Sequence, residues 1–280
     1  MPIANINGVN INYEVLGERG TWIALSPGGR RELGNVRSLA ERLAGAGYRV
    51  LIHDRRNCGA SEVAFDGSQS EYEIWADDLH RLLIYLNALP AVIGGGSSGC
   101  RLAILFALKY PQAVRALLLW RITGGAFAAK RLADQYYDQY IELVRQGGMQ
   151  AVADSEHFSD RIKANPRNRD RLLALDPKAF VEVMARWRRY FAASADLPVI
   201  GASEQELHSI KVPTCIIPGN DKTHSHVTGN AAHRMIKGSE LHDLWPGDLD
   251  IDLFPVEDWA TREGEQAAIF ADFLKRAHIS

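Results

Sequence analysis

Hydrophobic and polar residues alternate with a period of two near the start of the chain and then follow a β–α rhythm. Apolar positions alternate around Asn7-Gly8 within 2–15, which predicts a β-hairpin. The next apolar runs of strand length lie at 21–25, 48–54, 91–93, 115–120, 212–218 and near 239–245. Helical periodicity falls between them at 36–44, 71–88, 98–109, 226–236 and 260–277. This order predicts an α/β fold with a mostly parallel sheet that helices cover on both faces.

The β–α rhythm stops between residues 125 and 200. This block contains no strand pattern but three helical stretches, at 128–147, 148–163 and 168–194. We therefore predict a helical cap at 125–200, inserted into an α/β core made of 1–124 and 201–280. A cap of this kind is expected to cover an active site, although an insertion that only adds stability remains an alternative.

A glycine-rich turn joins the run at 91–93 to the helix predicted over 98–109. Its sequence, Gly95-Gly96-Ser97-Ser98-Gly99, matches G-x-S-x-G. A strand that turns directly into a helix strains the residue at the apex and holds its side chain clear of the sheet. The helix N-terminus beside it offers free N–H groups to a developing oxyanion. Ser97 is therefore the candidate nucleophile.

The same turn also fits two other interpretations. Gly94, Gly96 and Gly99 match G-x-G-x-x-G, a pattern that can hold a dinucleotide phosphate. That hypothesis expects an acidic residue after the next strand, but Arg121 stands there. A glycine-rich turn without any chemistry is the third possibility.

Composition and charge exclude several classes of protein. The chain has 280 residues, 46% of them hydrophobic and 24% charged, with a net charge of −2, which gives no indication of nucleic acid or an anionic membrane as a partner. Its three cysteines have no zinc or C-x-x-C spacing and are expected to be reduced. No apolar run approaches the ~18 residues of a membrane span. Residues 1–5 do not resemble the start of a signal peptide, so we expect a cytoplasmic protein.

Three further stretches, taken with the G-x-S-x-G turn, resemble the α/β-hydrolase superfamily over essentially the whole chain. The loop 54–61 is similar to the D-x-R-G-x-G-x-S segment of that family. Ser26-Pro27-Gly28-Gly29 stands where the family has its H-G-x-P-G oxyanion loop. The segment 212–221 resembles the strand and turn that carry the triad carboxylate. The resemblance implies the α/β-hydrolase fold.

The resemblance also implies roles for individual residues. Ser97 would attack a carbonyl, and Asp221 would be the triad acid. The backbone N–H of Ser98 would hold the oxyanion together with an N–H from Gly28 or Gly29, because Pro27 has no N–H to donate.

One triad residue departs from the family pattern. Asp250 stands where the family has its histidine. Either another histidine acts as the base, or the serine chemistry is lost, because a serine hydroxyl without a base is a poor nucleophile. His224, just after Asp221, is the first candidate for the base, with Asp250 or Asp221 orienting its imidazole. His226 is the second candidate.

The predicted activity follows from these residues. The leading hypothesis is a hydrolase for a small carbonyl substrate, an ester or a C–C bond next to a ketone. Arg121, Trp120 and Arg30 are the candidate substrate-binding residues, since strand ends and the oxyanion loop face the ligand crevice. A lyase or isomerase on the same fold and a catalytically inactive ligand-binding protein are the alternatives. No metal or organic cofactor is implied, the expected partner is a small molecule, and a homodimer is left open.

Overall fold

The computed structural model describes residues 2–279 and contains one mixed sheet of eight strands. The strands lie in the order β1-β2-β4-β3-β5-β6-β7-β8. Only the pairs β1–β2 and β2–β4 are antiparallel. The strand bounds are β1 Ile3–Ile6, β2 Val9–Leu16, β3 Trp22–Ser26, β4 Arg49–His53, β5 Ala91–Gly96, β6 Val114–Trp120, β7 Thr214–Ile217 and β8 Glu240–Leu241. The predicted α/β-hydrolase architecture is confirmed.

Helices pack on both faces of this sheet. Their bounds are α1 Arg37–Gly45, α2 Glu71–Tyr85, α3 Ser98–Lys109, α4 Gly125–Ala133, α5 Gln139–Ala153, α6 Glu156–Ala164, α7 Arg167–Leu173, α8 Pro177–Ala192, α9 Glu204–Ser209, α10 His226–Met235, α11 Val256–Ala260 and α12 Glu263–Arg276. One hydrophobic cluster joins a sheet face to α2, α3 and the helices after β6. A second cluster joins the other face to α1 and α12.

Local sequence signals explain where several elements begin and turn. Asn7 and Gly8 both have positive φ, 49° and 77°, as a two-residue hairpin turn between β1 and β2 requires. Ser70 and Glu73 form a capping box at the start of α2, where the Ser70 N–H donates to Glu73 Oε2 at 2.8 Å.

The segment between β6 and β7 is helical, with α4 to α9 in sequence. The stretch predicted as one helix over 168–194 is two helices, because Asp176 caps a new helix that has Pro177 at its first turn. Gly147 and Gly148 interrupt α5 with non-helical backbone, at the boundary predicted between two helices. The strand predicted near 239–245 is limited to Glu240–Leu241, and the chain beyond it enters a long loop.

Polar contacts tie this helical segment to the loop before α2. The Asn168 side chain accepts the Val63 N–H at 3.0 Å and donates to the Ser61 carbonyl. Trp187 Nε1 donates to the Gln69 carbonyl at 3.1 Å. Among residues 2–279, none of the helices has the length and apolarity needed to cross a membrane.

Candidate active site

Ser97 occupies a strained turn between β5 and α3. Its φ and ψ are 54° and −112°, a region that residues with a side chain rarely adopt. The strand and the helix pass so closely that a Cβ on Gly95 would overlap with the backbone of Gly99, and a Cβ on Gly99 would overlap with the Ser26 carbonyl. The two flanking glycines of the motif are therefore required by the space around them.

Ser97, His224 and Asp221 form one continuous chain of hydrogen bonds. Ser97 Oγ lies 2.8 Å from His224 Nε2. His224 Nδ1 lies 3.0 and 3.1 Å from the two carboxylate oxygens of Asp221. Asp221 and His224 are buried, whereas Ser97 is partly exposed. The arrangement has the geometry expected of a serine-type triad.

Four further donors hold the Asp221 carboxylate in place. Oδ1 accepts the backbone N–H groups of Thr223 at 2.9 Å and His224 at 2.7 Å. Oδ2 accepts the Phe254 N–H at 2.8 Å and Arg121 Nη2 at 3.1 Å. The carboxylate is therefore fixed in position and directed at the imidazole.

These contacts set the protonation states of the pair. Burial favours the neutral imidazole and lowers the pKa of His224 to about 4, against the opposing effect of the hydrogen bond to Asp221 and with a further lowering by Arg121. Burial alone would raise the pKa of Asp221, but the hydrogen bond from His224, the Phe254 N–H and Arg121 hold it well below its ordinary value. At neutral pH, His224 is thus neutral and able to accept a proton.

The pH profile of turnover should report the protonation state of His224. Because a general base acts in its deprotonated form, we expect kcat/KM for a neutral nitrophenyl ester to fall on the acid side with a midpoint near pH 4, the pKa of His224. Arg121→Gln should move this midpoint to higher pH, because it removes a positive charge that lowers the pKa of His224. Circular dichroism at each pH would separate titration from unfolding. A wild-type midpoint at about 6.5, the value of a free histidine, would contradict this description of the site.

Backbone N–H groups that can act as donors lie near Ser97. Ser98 is the first residue of α3, a position whose N–H has no acceptor within the helix. The Gly28 backbone lies close to Ser97, since a Cβ added to Gly28 would be 3.2 Å from Ser97 Cβ. Within residues 2–279, neither the Gly28 nor the Gly29 N–H donates a hydrogen bond to the protein. These groups are available to a negatively charged oxygen at this place.

A cavity of about 150 Å³ opens at Ser97 and His224. The oxyanion loop lines it through Gly28 and Gly29, and the helices after β6 contribute Leu132 and Tyr136. Its apolar lining includes Val36, Leu39, Leu253, Val256 and Trp259. The space therefore suits a small substrate with an apolar part.

The three predicted substrate-binding residues lie in different places. Trp120 lines the cavity at Ser97. Arg121 also lines it, but its Nη2 is bonded to Asp221 and to the Phe254 carbonyl, so its charge is directed at the acid. Arg30 is buried, pairs with Glu71 at 2.9 Å and lines a neighbouring cavity.

The structure corrects the alternative in which Asp250 orients the imidazole. The Asp250 side chain is 93% exposed and forms an ion pair with Lys222 at 2.6 Å. Asp221 holds His224 Nδ1 instead, because the turn from Asp221 to His224 already brings the two side chains together. His226, the second candidate for the base, bonds to Asp243 at 2.6 Å and begins α10.

Sequence reasoning missed the backbone contribution of Phe254 and the role of Arg121 as a partner of Asp221. The Phe254 N–H carries no signal in the sequence, since it reaches Asp221 through a loop 33 residues further on. The turn at Asp221 does carry one. An Asp that accepts N–H groups two and three residues later is a common turn feature.

Comparisons with known proteins agree with this architecture. A family model described as the alpha/beta hydrolase fold matches residues 22–164. An uncharacterized hydrolase, YraK of Bacillus subtilis (strain 168), is 32% identical over 113 residues, 40% of this chain and 41% of that protein. A proline iminopeptidase of Saccharolobus solfataricus is 28% identical over 262 residues, 84% of this chain and 82% of that protein. The matches to YraK and to a proline iminopeptidase of Lactiplantibacillus plantarum span only 41% and 54% of those proteins.

Solved structures show the same fold over nearly the whole chain. The enol-lactonase from Burkholderia xenovorans LB400 is similar with a TM-score of 0.64 and 21% identity, over 98% of this chain and 100% of that chain. A thermophilic esterase from Thermogutta terrifontis is similar with a TM-score of 0.67 and 23% identity, over 99% of this chain and 100% of that chain. The chain belongs to the α/β-hydrolase family, as the family match shows and as the sheet and the strained serine turn agree.

Proposed function

We propose that this chain is a serine hydrolase that acts on a small carbonyl substrate, an ester or a C–C bond next to a ketone. The observation that carries the proposal is the 2.8 Å contact between Ser97 Oγ and His224 Nε2, with Asp221 on the other ring nitrogen. A neutral imidazole held in this way can take the hydroxyl proton as the oxygen attacks.

The steps for an ester follow from the positions of these groups. Ser97 Oγ forms a bond to the carbonyl carbon while His224 Nε2 takes its proton, and the carbonyl oxygen becomes an oxyanion. The N–H groups of Ser98 and of Gly28 or Gly29 stabilise that charge. The C–O bond then breaks, and the leaving alcohol receives the proton from His224. Water, activated by the same histidine, releases the acid from Ser97.

The named relatives support hydrolysis as the class of reaction. YraK carries the name of a hydrolase, and the protein of Saccharolobus solfataricus is named a proline iminopeptidase. The cavity at Ser97 is small and has partly apolar walls, which favours a compact acyl group.

Covalent labelling with a fluorophosphonate probe tests the proposal. We expect rapid modification of the wild-type protein, located at Ser97 by mass spectrometry, because the probe reacts with an activated serine. Ser97→Ala should remove the label, while Ser98→Ala, which retains the backbone N–H, provides the matched control for a neighbouring hydroxyl. An unlabelled wild-type protein would contradict the hydrolase and favour a lyase, an isomerase or a binding protein on this fold.

A further inference from the structure

A second cavity adjoins the one at Ser97. Its volume is about 250 Å³, and it shares four lining residues with the first cavity. These are Gly29, Arg31, Gln135 and Tyr136. A substrate bound at Ser97 can therefore extend past the oxyanion loop into this side cavity.

The side cavity carries a strong positive charge. Its lining includes Arg30, Arg31 and Arg161, while no Asp or Glu from the described residues 2–279 lines it. Glu71, which does not line the side cavity, pairs with Arg30. The same carboxylate oxygen accepts a hydrogen bond from the Tyr137 hydroxyl at 3.0 Å. One of the three positive charges is thus neutralised, and two remain.

Several donors around the side cavity lack acceptors. In the described part of the chain, Arg31 forms no side-chain hydrogen bond or ion pair. Arg30 is only 5% exposed, yet its Nε and Nη1 have no hydrogen-bond partner. Arg161 binds the backbone carbonyls of Arg30 and His157, and its Nε has no partner, as is also true of His157 Nε2. A buried guanidinium whose donors are unpaired is costly unless an anion completes its bonds.

We propose that this side cavity binds an anionic oxyacid group of the substrate, such as a carboxylate, while the carbonyl lies at Ser97. The inference rests on the proposed hydrolase function for the reacting end of the substrate. Planar guanidinium groups bind carboxylates through paired N–H donors, and Arg31 stands where the two cavities meet. The substrate class is then a small ester or ketone that also carries an acidic group.

Matched esters test this specificity. The monoethyl esters of succinic, glutaric and adipic acid are compared with ethyl butanoate, pentanoate and hexanoate, which carry a methyl group in place of the carboxylate. We expect kcat/KM to be at least about tenfold higher for the anionic ester at the chain length that reaches the arginines. Arg31→Gln should bring the ratio of the two rates close to one, whereas Arg19→Gln, an exposed arginine in the turn before β3, should leave the ratio as in the wild type.

Binding to an inactive variant separates this inference from the proposed reaction. Calorimetry with Ser97→Ala should show binding of adipate but not of neutral adipamide, and Arg31→Gln in that background should weaken adipate binding at least about tenfold. If none of these esters is hydrolysed but adipate binds in this way, the anion site is supported and the ester form of the proposed reaction is overturned. Equal rates for the anionic and neutral esters, or no adipate binding to Ser97→Ala, would overturn the anion site.

Discussion

Replacing His224 with alanine should lower kcat for ester hydrolysis by about 10⁴- to 10⁶-fold, the range that loss of the base produces in serine triads. In the described part of the chain, His224 Nε2 is the one group that bonds to Ser97 Oγ, so no second base can take over the proton. The variant should stay folded, because Asp221 keeps its bonds to Arg121 and to the backbone at 223, 224 and 254. Steady-state kinetics and circular dichroism measure the two properties.

Two control variants make this prediction specific. His226→Ala removes the neighbouring histidine, which bonds to Asp243 and not to the serine, and should retain turnover within about twofold. Asp250→Asn removes the exposed carboxylate at the family's usual histidine position and should do the same. A His224→Ala protein that keeps turnover within tenfold of the wild type would show that another residue serves as the base.

Replacing Gly99 with alanine should lower the free energy of unfolding by about 3 kcal/mol, the upper end of what overpacking costs. The new Cβ would overlap with the Ser26 carbonyl oxygen and lie 2.9 Å from its carbon, and both atoms belong to the backbone of a central strand. Neither β3 nor α3 can move away without disturbing the sheet. Urea denaturation followed by tryptophan fluorescence gives the free energy.

Two other glycines calibrate this effect. Gly45 lies exposed at the end of α1 with open space around it, so Gly45→Ala should be neutral or stabilising by up to about 1 kcal/mol. Gly94→Ala would contact the Leu25 side chain at 2.9 Å, and since a side chain can shift, we expect an intermediate loss. Equal stability of Gly99→Ala and Gly45→Ala would mean that the strand and the helix are not as close as described.

The features that the sequence predicted well depend on neighbouring residues. The helix over 98–109 and the serine turn before it follow from local periodicity and from two glycines, and the structure has the helix at Ser98–Lys109. The helical segment after β6 follows from the absence of strand patterns. The sequence also carries a helix start signal at Asp176-Pro177, where the structure begins α8.

The features that the sequence left open depend on how distant loops meet. The sequence allows either Asp250 or Asp221 to orient the imidazole of His224. Hydrophobic periodicity does not indicate which of the two loops points toward the site. The structure turns Asp250 out to Lys222 and surrounds Asp221 with donors from residues 121, 223, 224 and 254. Arg121 was predicted to bind substrate because it follows a strand, but its partner is 100 residues further along the chain.

Asp221 and His224 are three residues apart in the chain, so a single turn brings their side chains into contact. Closing such a short loop costs little chain entropy, whereas the contact from His224 to Ser97 spans 127 residues. The chain of hydrogen bonds from Ser97 to Asp221 therefore combines one local contact with several long-range ones: His224 must meet Ser97, and Asp221 must meet Arg121 and Phe254. A graft of the segment from Asp221 to His224 into another chain of this fold would transfer the local contact, and it would still need counterparts of Arg121 and Phe254 to hold the carboxylate.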